Sequence, residues 1–211
     1  NPLIWTIDQE TDAWAAFGNI DWYLSDQFML SLGVRYTDEQ TKFAGGTSGF
    51  ALADDALGIP GIAAGDEIPF TFLDDKFEDD KVTYRVALEY RPTDDNLLYG
   101  SWSTGFKSGG FFGDFTLDNG ELAPFDSETV DALEIGWKST FANDRAQLNV
   151  AGFWYDYQDI QTFVPADFGF KLDNIDGADI YGLDAQIIAR PVAGLDLRAA
   201  LGLLNTKTSS S

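Results

Sequence analysis

The stretch NIDGADIYGLDAQIIARPVAGLDL, residues 174–197, decides the fold. From Tyr181 it alternates: Tyr181, Leu183, Ala185, Ile187 and Ala189 fall on one face, and Gly182, Asp184, Gln186, Ile188 and Arg190 on the other. A period of two, with one apolar and one mainly polar face, describes a β-strand. Pro191 ends the ladder because it has no N–H to donate. Gly194 stands where a turn can use positive φ. Alternation restarts at Asp196, with Leu197, Ala199, Leu201 and Leu203 sharing a face.

The same plan repeats along the chain. Trp14–Leu24 presents Trp14, Ala16, Gly18, Ile20 and Trp22 on one face. Gln27–Lys42 presents Phe28, Leu30, Leu32, Val34 and Tyr36 opposite Ser31, Gly33, Arg35 and Thr37. Lys81–Arg91 sets Val82, Tyr84, Val86, Leu88 and Tyr90 against Thr83, Arg85 and Glu89. Strands are also expected at Asn96–Gly105, Glu128–Thr140 and Ala146–Ile160. Short turns fall at Ser25–Asp26, Pro92–Asp95, Asn143–Asp144 and Pro191–Leu195. The connections at 43–80, 106–127 and 161–173 are long, irregular and rich in Gly, Pro or acidic residues.

Short and long connections therefore alternate over roughly eight strands. All the short turns lie at one end of the sheet and all the long loops at the other. That is an antiparallel up-and-down meander with unlike ends, as in outer-membrane barrels with short periplasmic turns and long extracellular loops. Several strands exceed the roughly 9–11 residues that cross a bilayer at a tilt. Aromatic residues near strand ends (Trp22, Tyr23, Tyr36, Tyr90, Trp137, Phe141) suit interfacial girdles. The expected orientation puts Leu88, Leu133, Leu183 and Leu201 against lipid and Arg85, Glu134, Asp184 and Arg198 toward a wet lumen. The alternative is a soluble β-sandwich binding module with its apolar faces turned inward.

Composition narrows the function. The 211 residues carry 35 Asp+Glu against 13 Lys+Arg, a formal net charge of -22, which argues against nucleic acid as a partner. There is no Cys and no His, so disulfides, thiolate chemistry, His-based triads and Cys- or His-type zinc sites are absent. An enzyme is disfavoured: Asp74 and Asp75 are adjacent carboxylates, but adjacency in a charged run does not set the separation that acid–base chemistry needs. No cofactor motif is present, and no Gly-rich turn joins a strand to a helix.

Beyond the alternation, the chain resembles the TonB-dependent receptors of the Gram-negative outer membrane. The likeness rests on GFKSGGF (105–111), PFDSETVDALEIGWKSTF (124–141), FWYDYQDIQ (153–161) and IDGADIYGLDAQIIARPVAGLDLRAALGLLNT (175–206). FGNIDWYLSDQFMLSLGVRYTDE (17–39) fits an earlier hairpin. The resemblance implies that residues 1–211 are part of a barrel of about 22 strands with an N-terminal plug. It also implies active uptake of a scarce ligand such as a ferric siderophore, cobalamin or a saccharide. Outer-membrane lipid would be one partner and the TonB complex, acting through a plug, another. No plug, TonB-contacting segment or terminal aromatic strand is recognisable here, so the expectation is an internal barrel segment. As such it should leave sheet edges near Trp14 and Leu203 rather than close on itself. A structural or adhesive barrel without transport is the second functional reading.

Candidate site residues follow from the polar face and the loops. Arg35, Arg85, Glu89, Arg91 and Arg190 carry lumen-face charge suited to guiding an anionic ligand. Tyr155 and Tyr157 can stack on one, and Phe106, Lys107, Phe111 and Phe112 enter the second long loop, where exposed Phe is costly unless packed or used for capture. The run Asp74, Asp75, Glu78, Asp79 and Asp80 has enough carboxylate for Ca²⁺ but lacks the spacing of a calcium loop; a solvated surface is the simpler expectation.

Overall fold

A computed structural model describes residues 3–55, 60–167 and 169–208. Strand alternation becomes one antiparallel meander. β1 (Ile4–Tyr23), β2 (Phe28–Phe50), β4 (Leu73–Thr93), β5 (Asn96–Lys107), β6 (Glu128–Phe141), β7 (Ala146–Gln158), β10 (Ala178–Ala189) and β11 (Leu197–Thr208) neighbour one another in that order. A short β3 (Glu67–Pro69) adds to the end of β2. β8 (Ile160–Ala166) and β9 (Gly169–Ile175) form a separate hairpin. β1 and β11 are the edges of the main sheet, each paired on one side, and the sheet does not close on itself.

The pairing register carries side chains across the sheet in rows. One row runs Ile20, Leu32, Val86, Trp102, Leu133, Trp154, Tyr181, Asn205. The next on the same face, nearer the turns, runs Trp22, Leu30, Leu88, Gly100, Ile135, Gly152, Leu183, Leu203. Every apolar face expected from the sequence falls on this one side, and its members are exposed: Ile135 is 63% and Ile20 64% accessible. The reverse face carries Arg35, Arg85, Glu89, Glu134, Lys138, Asp184 and Arg198 by the same register. A soluble sandwich would bury the apolar side under a second layer, and among the described residues no second sheet covers it. Tyr23, expected with the girdle residues, instead shares the polar face because it pairs with Met29, one residue out of phase with Trp22.

The tight turns keep their places. Ser25 Oγ accepts from the amides of Gln27 and Phe28, each at 3.2 Å, closing the first. Ala142, Asn143 and Asp144 all have positive φ, and Gly194 has φ 82°.

The long connections differ from expectation. β2 continues to Phe50 and β4 begins at Leu73, so most of the flanks of 43–80 are strand, leaving an irregular connection at 51–66 and 70–72; residues 56–59 lie outside the described part. Likewise 161–173 is mainly the β8–β9 hairpin, and β7 stops at Gln158 because Asp159 turns the chain with φ 54°. Only 106–127 is largely irregular, apart from the last residues of β5 and one 3-10 turn at Asn119–Leu122.

The meander is consequently lopsided. β1, β2 and β4 have 20, 23 and 21 residues, whereas β5, β6, β7, β10 and β11 have 12 to 14. At about 3.3 Å per residue, the extra length raises a wall about 30 Å beyond its neighbours on the loop side.

The main cluster of buried apolar side chains sits against that wall. The 108–127 segment folds back over its polar-side face, and Phe111 (5% exposed) and Leu122 (1%) close on Phe43 (1%), flanked by Leu73 and Phe77. Phe43 and Phe111 stack at 5.2 Å. Behind them three buried threonines interlock: the Thr47 amide donates to Thr71 Oγ1 at 2.9 Å, Thr71 Oγ1 donates to the Thr116 carbonyl at 3.2 Å, and the Thr116 amide donates to Thr47 Oγ1 at 3.3 Å. Gly46 is needed here, since a Cβ would overlap the Thr71 carbonyl where residues 70–72 cross β2.

Candidate ligand-facing surface

The irregular 108–127 segment is held from its other side by the β8–β9 hairpin. Gln161 Nε2 lies within donating distance of three carbonyls, Lys107 at 3.2 Å, Ser108 at 2.9 Å and Asp126 at 3.1 Å. Its own amide donates to Glu128 Oε2 at 2.9 Å. Asn174 accepts from the Asp126 amide at 2.6 Å and donates to the carbonyls of Asp126 and Asp159. Phe112 meets Phe163 edge-on at 5.2 Å, and the Asp167 amide donates to Glu121 Oε1 at 2.7 Å. Wall, loop and hairpin thus form one canopy above the polar face of the shorter strands.

The canopy resolves the aromatic candidates. Phe111 is buried, so its exposure cost is met by packing rather than by capture. Phe112 is half-buried on Phe163. Phe106 pairs with Thr129 on the apolar side of the sheet, away from the charged face. Lys107 is on the polar side, and its carbonyl is one of the three held by Gln161.

The acidic run is divided by strand alternation. Asp74, Glu78 and Asp80 point to the apolar-side surface of the wall; Asp75 and Asp79 point to the reverse. Carboxylates on opposite faces of one strand cannot surround an ion, and among the described residues no group of three or more converges as metal ligands. Lys76 bonds Glu78 at 2.7 Å and Lys81 bonds Asp79 at 3.0 Å. Asp79 is 9% exposed, and its Oδ2 has no hydrogen-bond partner.

Below the canopy the polar face is built in tiers. Arg35 sits opposite Thr83, and Arg85 opposite Gly33 and Ser103. Continuing sideways from Arg85 the row reaches Ala132 and Tyr155. Tyr155 stacks on Phe153 at 5.1 Å, and Tyr157 follows on the same face. One tier nearer the turns, the Tyr99 hydroxyl donates to Glu134 Oε1 at 2.7 Å, and Lys138 Nζ stands 5.3 Å from the Tyr99 ring centre. Tyr99 lies flat across Gly136, where a Cβ would overlap its ring. Arg91 Nη2 pairs with Glu89 at 2.8 Å, which neutralises both. Arg190 lies in the turn after β10 and pairs with Asp196 at 2.7 Å, far from the tiers above.

An open depression lies on the opposite, apolar side, among Leu133, Trp154, Leu183 and Leu203. Its lining offers hydrocarbon and few polar groups, which suits acyl chains better than a polar ligand.

The sequence matches the family model described as TonB dependent receptor-like, beta-barrel, over residues 1–211. The chain belongs to this family. These receptor barrels lie in the bacterial outer membrane, and solved members have the same fold. The ferric yersiniabactin uptake receptor FyuA from Yersinia pestis superposes with a TM-score of 0.74 at 23% identity, covering 98% of this chain and 28% of that one. The copper transporter OprC gives 0.70 at 16% identity, covering 96% of this chain and 30% of that one. The ferric-catecholate import receptor Fiu from K12 E. coli in its closed form gives 0.67 at 14% identity, covering 97% and 29%. The present receptor barrel chain therefore spans under a third of each of these structures.

The polar tiers are visible in the sequence through their charges, whereas Gln161 and Asn174, whose amides fasten the canopy, are not. No pattern marks an amide as a staple until the hairpin brings its carbonyl partners together.

Proposed function

We propose that this chain forms part of the wall of a TonB-dependent uptake receptor in the outer membrane. In this reading the tight turns face the periplasm and the canopy faces outside. The sheet has one exposed apolar face and one charged face, and it carries a folded canopy only over the charged one. That two-sidedness is the observation that supports transport: lipid takes the first face, and a polar solute passes along the second.

An open sheet supports the same reading. In lipid each unpaired backbone group costs several kcal/mol, so the outer edges of β1 and β11 call for further strands. Energy from the TonB complex would enter through a plug inside the completed barrel. The ligand is proposed as a scarce metal chelate or metal ion, because similar solved structures are described as a ferric yersiniabactin uptake receptor, a ferric-catecholate import receptor and a copper transporter.

The test is accumulation of labelled iron chelates, copper and oligosaccharides by cells with and without the full-length receptor. Uptake that requires both the receptor and an energised TonB complex is expected. Uptake that persists without TonB would replace active transport by passive diffusion, and no uptake of any solute would favour a structural barrel.

A further inference from the structure

Arg35 and Arg85 stand apart from the other cations of the lumen face. Acidic residues outnumber basic ones 35 to 13, so an arginine left without a carboxylate is unexpected. The cations on either side along β4 are paired: Lys81 with Asp79 at 3.0 Å and Arg91 with Glu89 at 2.8 Å. Among the described residues the Arg85 guanidinium has no ion pair and no hydrogen bond, and its charge is felt only at the Tyr99 hydroxyl, which already donates to Glu134. Arg35 has only a 3.1 Å bond from Nε to Thr37 Oγ1 and a loose contact 5.8 Å above the Phe17 ring. Its terminal guanidinium nitrogens remain available.

The register places the two side by side. Arg85 faces Gly33 and Arg35 faces Thr83, so they are diagonal neighbours on one face of β2 and β4. Diagonal residues in an antiparallel pair lie about 7–8 Å apart, a span one multidentate anion can bridge. Gly33 leaves room for about a methyl group between them, since a Cβ there would meet Asn19 at 3.5 Å and Arg85 at 3.9 Å, ordinary contact distances. Asn19, Thr83 and Ser103 surround the gap with uncharged hydrogen-bonding groups. Two neighbouring guanidinium groups repel, and an anion between them reverses the sign of that interaction. The guanidinium fork also matches carboxylate oxygens in pairs.

We propose that Arg35 and Arg85 form an anion-binding patch on the lumen wall that takes carboxylate or similar oxyanion groups of the solute beneath the canopy. This rests on the transport reading above and narrows the solute to one bearing negative charge.

The experiment uses the full-length receptor with R35Q/R85Q, with R35K/R85K, and with K42Q as a charge control on the other face. Purified receptor is titrated with citrate and with ferric citrate at low and high salt. Cells are then given labelled iron as the anionic citrate chelate or as cationic ferrioxamine B. Citrate binding weakened by about tenfold in R35Q/R85Q, partly restored in R35K/R85K and unchanged in K42Q is expected. Loss of iron citrate uptake with ferrioxamine uptake unaltered is expected alongside. Equal citrate affinity in wild type and R35Q/R85Q overturns the patch. So does a variant that leaks small solutes while keeping its citrate affinity, which would assign the arginines to holding a plug. If no chelate enters any strain, the iron-uptake reading fails, and the citrate titration alone still decides the patch.

Discussion

The indole Nε1 of Trp154 donates to Oδ1 of Asp179 at 2.9 Å, across the β7–β10 pair. Trp102 repeats the arrangement with Asp131 at 3.1 Å across β5–β6. Both tryptophans lie in the apolar row and both carboxylates in the next row toward the loops. Each ring therefore keeps its apolar body on the exposed apolar face and satisfies its N–H at that face's edge, the two needs of an interfacial Trp. Asp179→Ala is expected to lower receptor stability by about 1.5–3 kcal/mol, the worth of a hydrogen bond to a charged group. Urea unfolding of the full receptor in vesicles, compared with Trp154→Phe, checks it. The two single variants and the double variant should cost nearly the same if the bond is what matters.

Leu183 and Asp184 are neighbours with opposite duties. Leu183→Arg on the apolar face should destabilise the receptor by about 2–4 kcal/mol near the bilayer midplane. Asp184→Asn on the polar face should change stability by under about 0.5 kcal/mol. A negligible cost of Leu183→Arg in the same unfolding assay would mean that the faces are assigned the wrong way round.

Phe111 anchors the canopy. Phe111→Ala should cost about 3–5 kcal/mol of local stability, because it empties a packed site against Phe43 and Leu122. Hydrogen exchange should quicken across 108–127 and at the wall residues Phe43–Thr47, while β6 and β7 keep their protection. Gln161→Ala should quicken exchange at the stems of the same loop and in the β8–β9 hairpin together, since one amide holds both.

Acid should loosen the hairpin from one identifiable pair. Lys171 Nζ lies 2.7 Å from Asp173 Oδ2, and this bond, helped by the Asn174 amide at 2.9 Å, holds the Asp173 carboxyl below its ordinary value of 3.8 against partial burial. A carboxyl lowered on folding adds stability above its unfolded pKa, and that stability is lost as pH falls through the folded one. The effect is small because both side chains are partly exposed. Carboxyl titration followed by NMR should place Asp173 below the ordinary value, and Lys171→Ala should return it upward.

The meander was legible because its apolar-side rows are mostly Leu, Ile, Val, Trp and Tyr at every second position. The upper wall was not, although it alternates just as strictly. In β2 the residues buried at every second place are Thr41, Phe43, Gly45, Thr47 and Gly49. Glycine and threonine carry almost no hydropathy signal, so the period is one of burial without being one of apolarity. The β4 side hid for another reason: Asp74, Asp75, Glu78, Asp79 and Asp80 read as a loop, yet Leu73 just before them and Phe77 among them face the canopy core. The hairpin at 160–175 was masked by Pro165 and by Gly169, which has φ 103°. The polar tiers were visible as charges, but which arginines are paired depends on distances that alternation does not encode.

The stepped height of the outermost acidic residues has a geometric consequence. The row through Asp179, Asp156 and Asp131 continues through Thr104, Tyr84 and Val34 to Gly18 on β1. On β1, however, the first carboxylate of that face is Asp12, six residues beyond Gly18. The border between apolar and charged surface thus climbs six residues while crossing six strand spacings from β10 to β1. With about 3.3 Å per residue and about 4.8 Å between strands, a level border requires the strands to lean about 35° from the membrane normal. Leaning widens each strand's share of the circumference to about 6 Å, so the eight strands span roughly 45–50 Å of wall, little over a third of a ring of about 22.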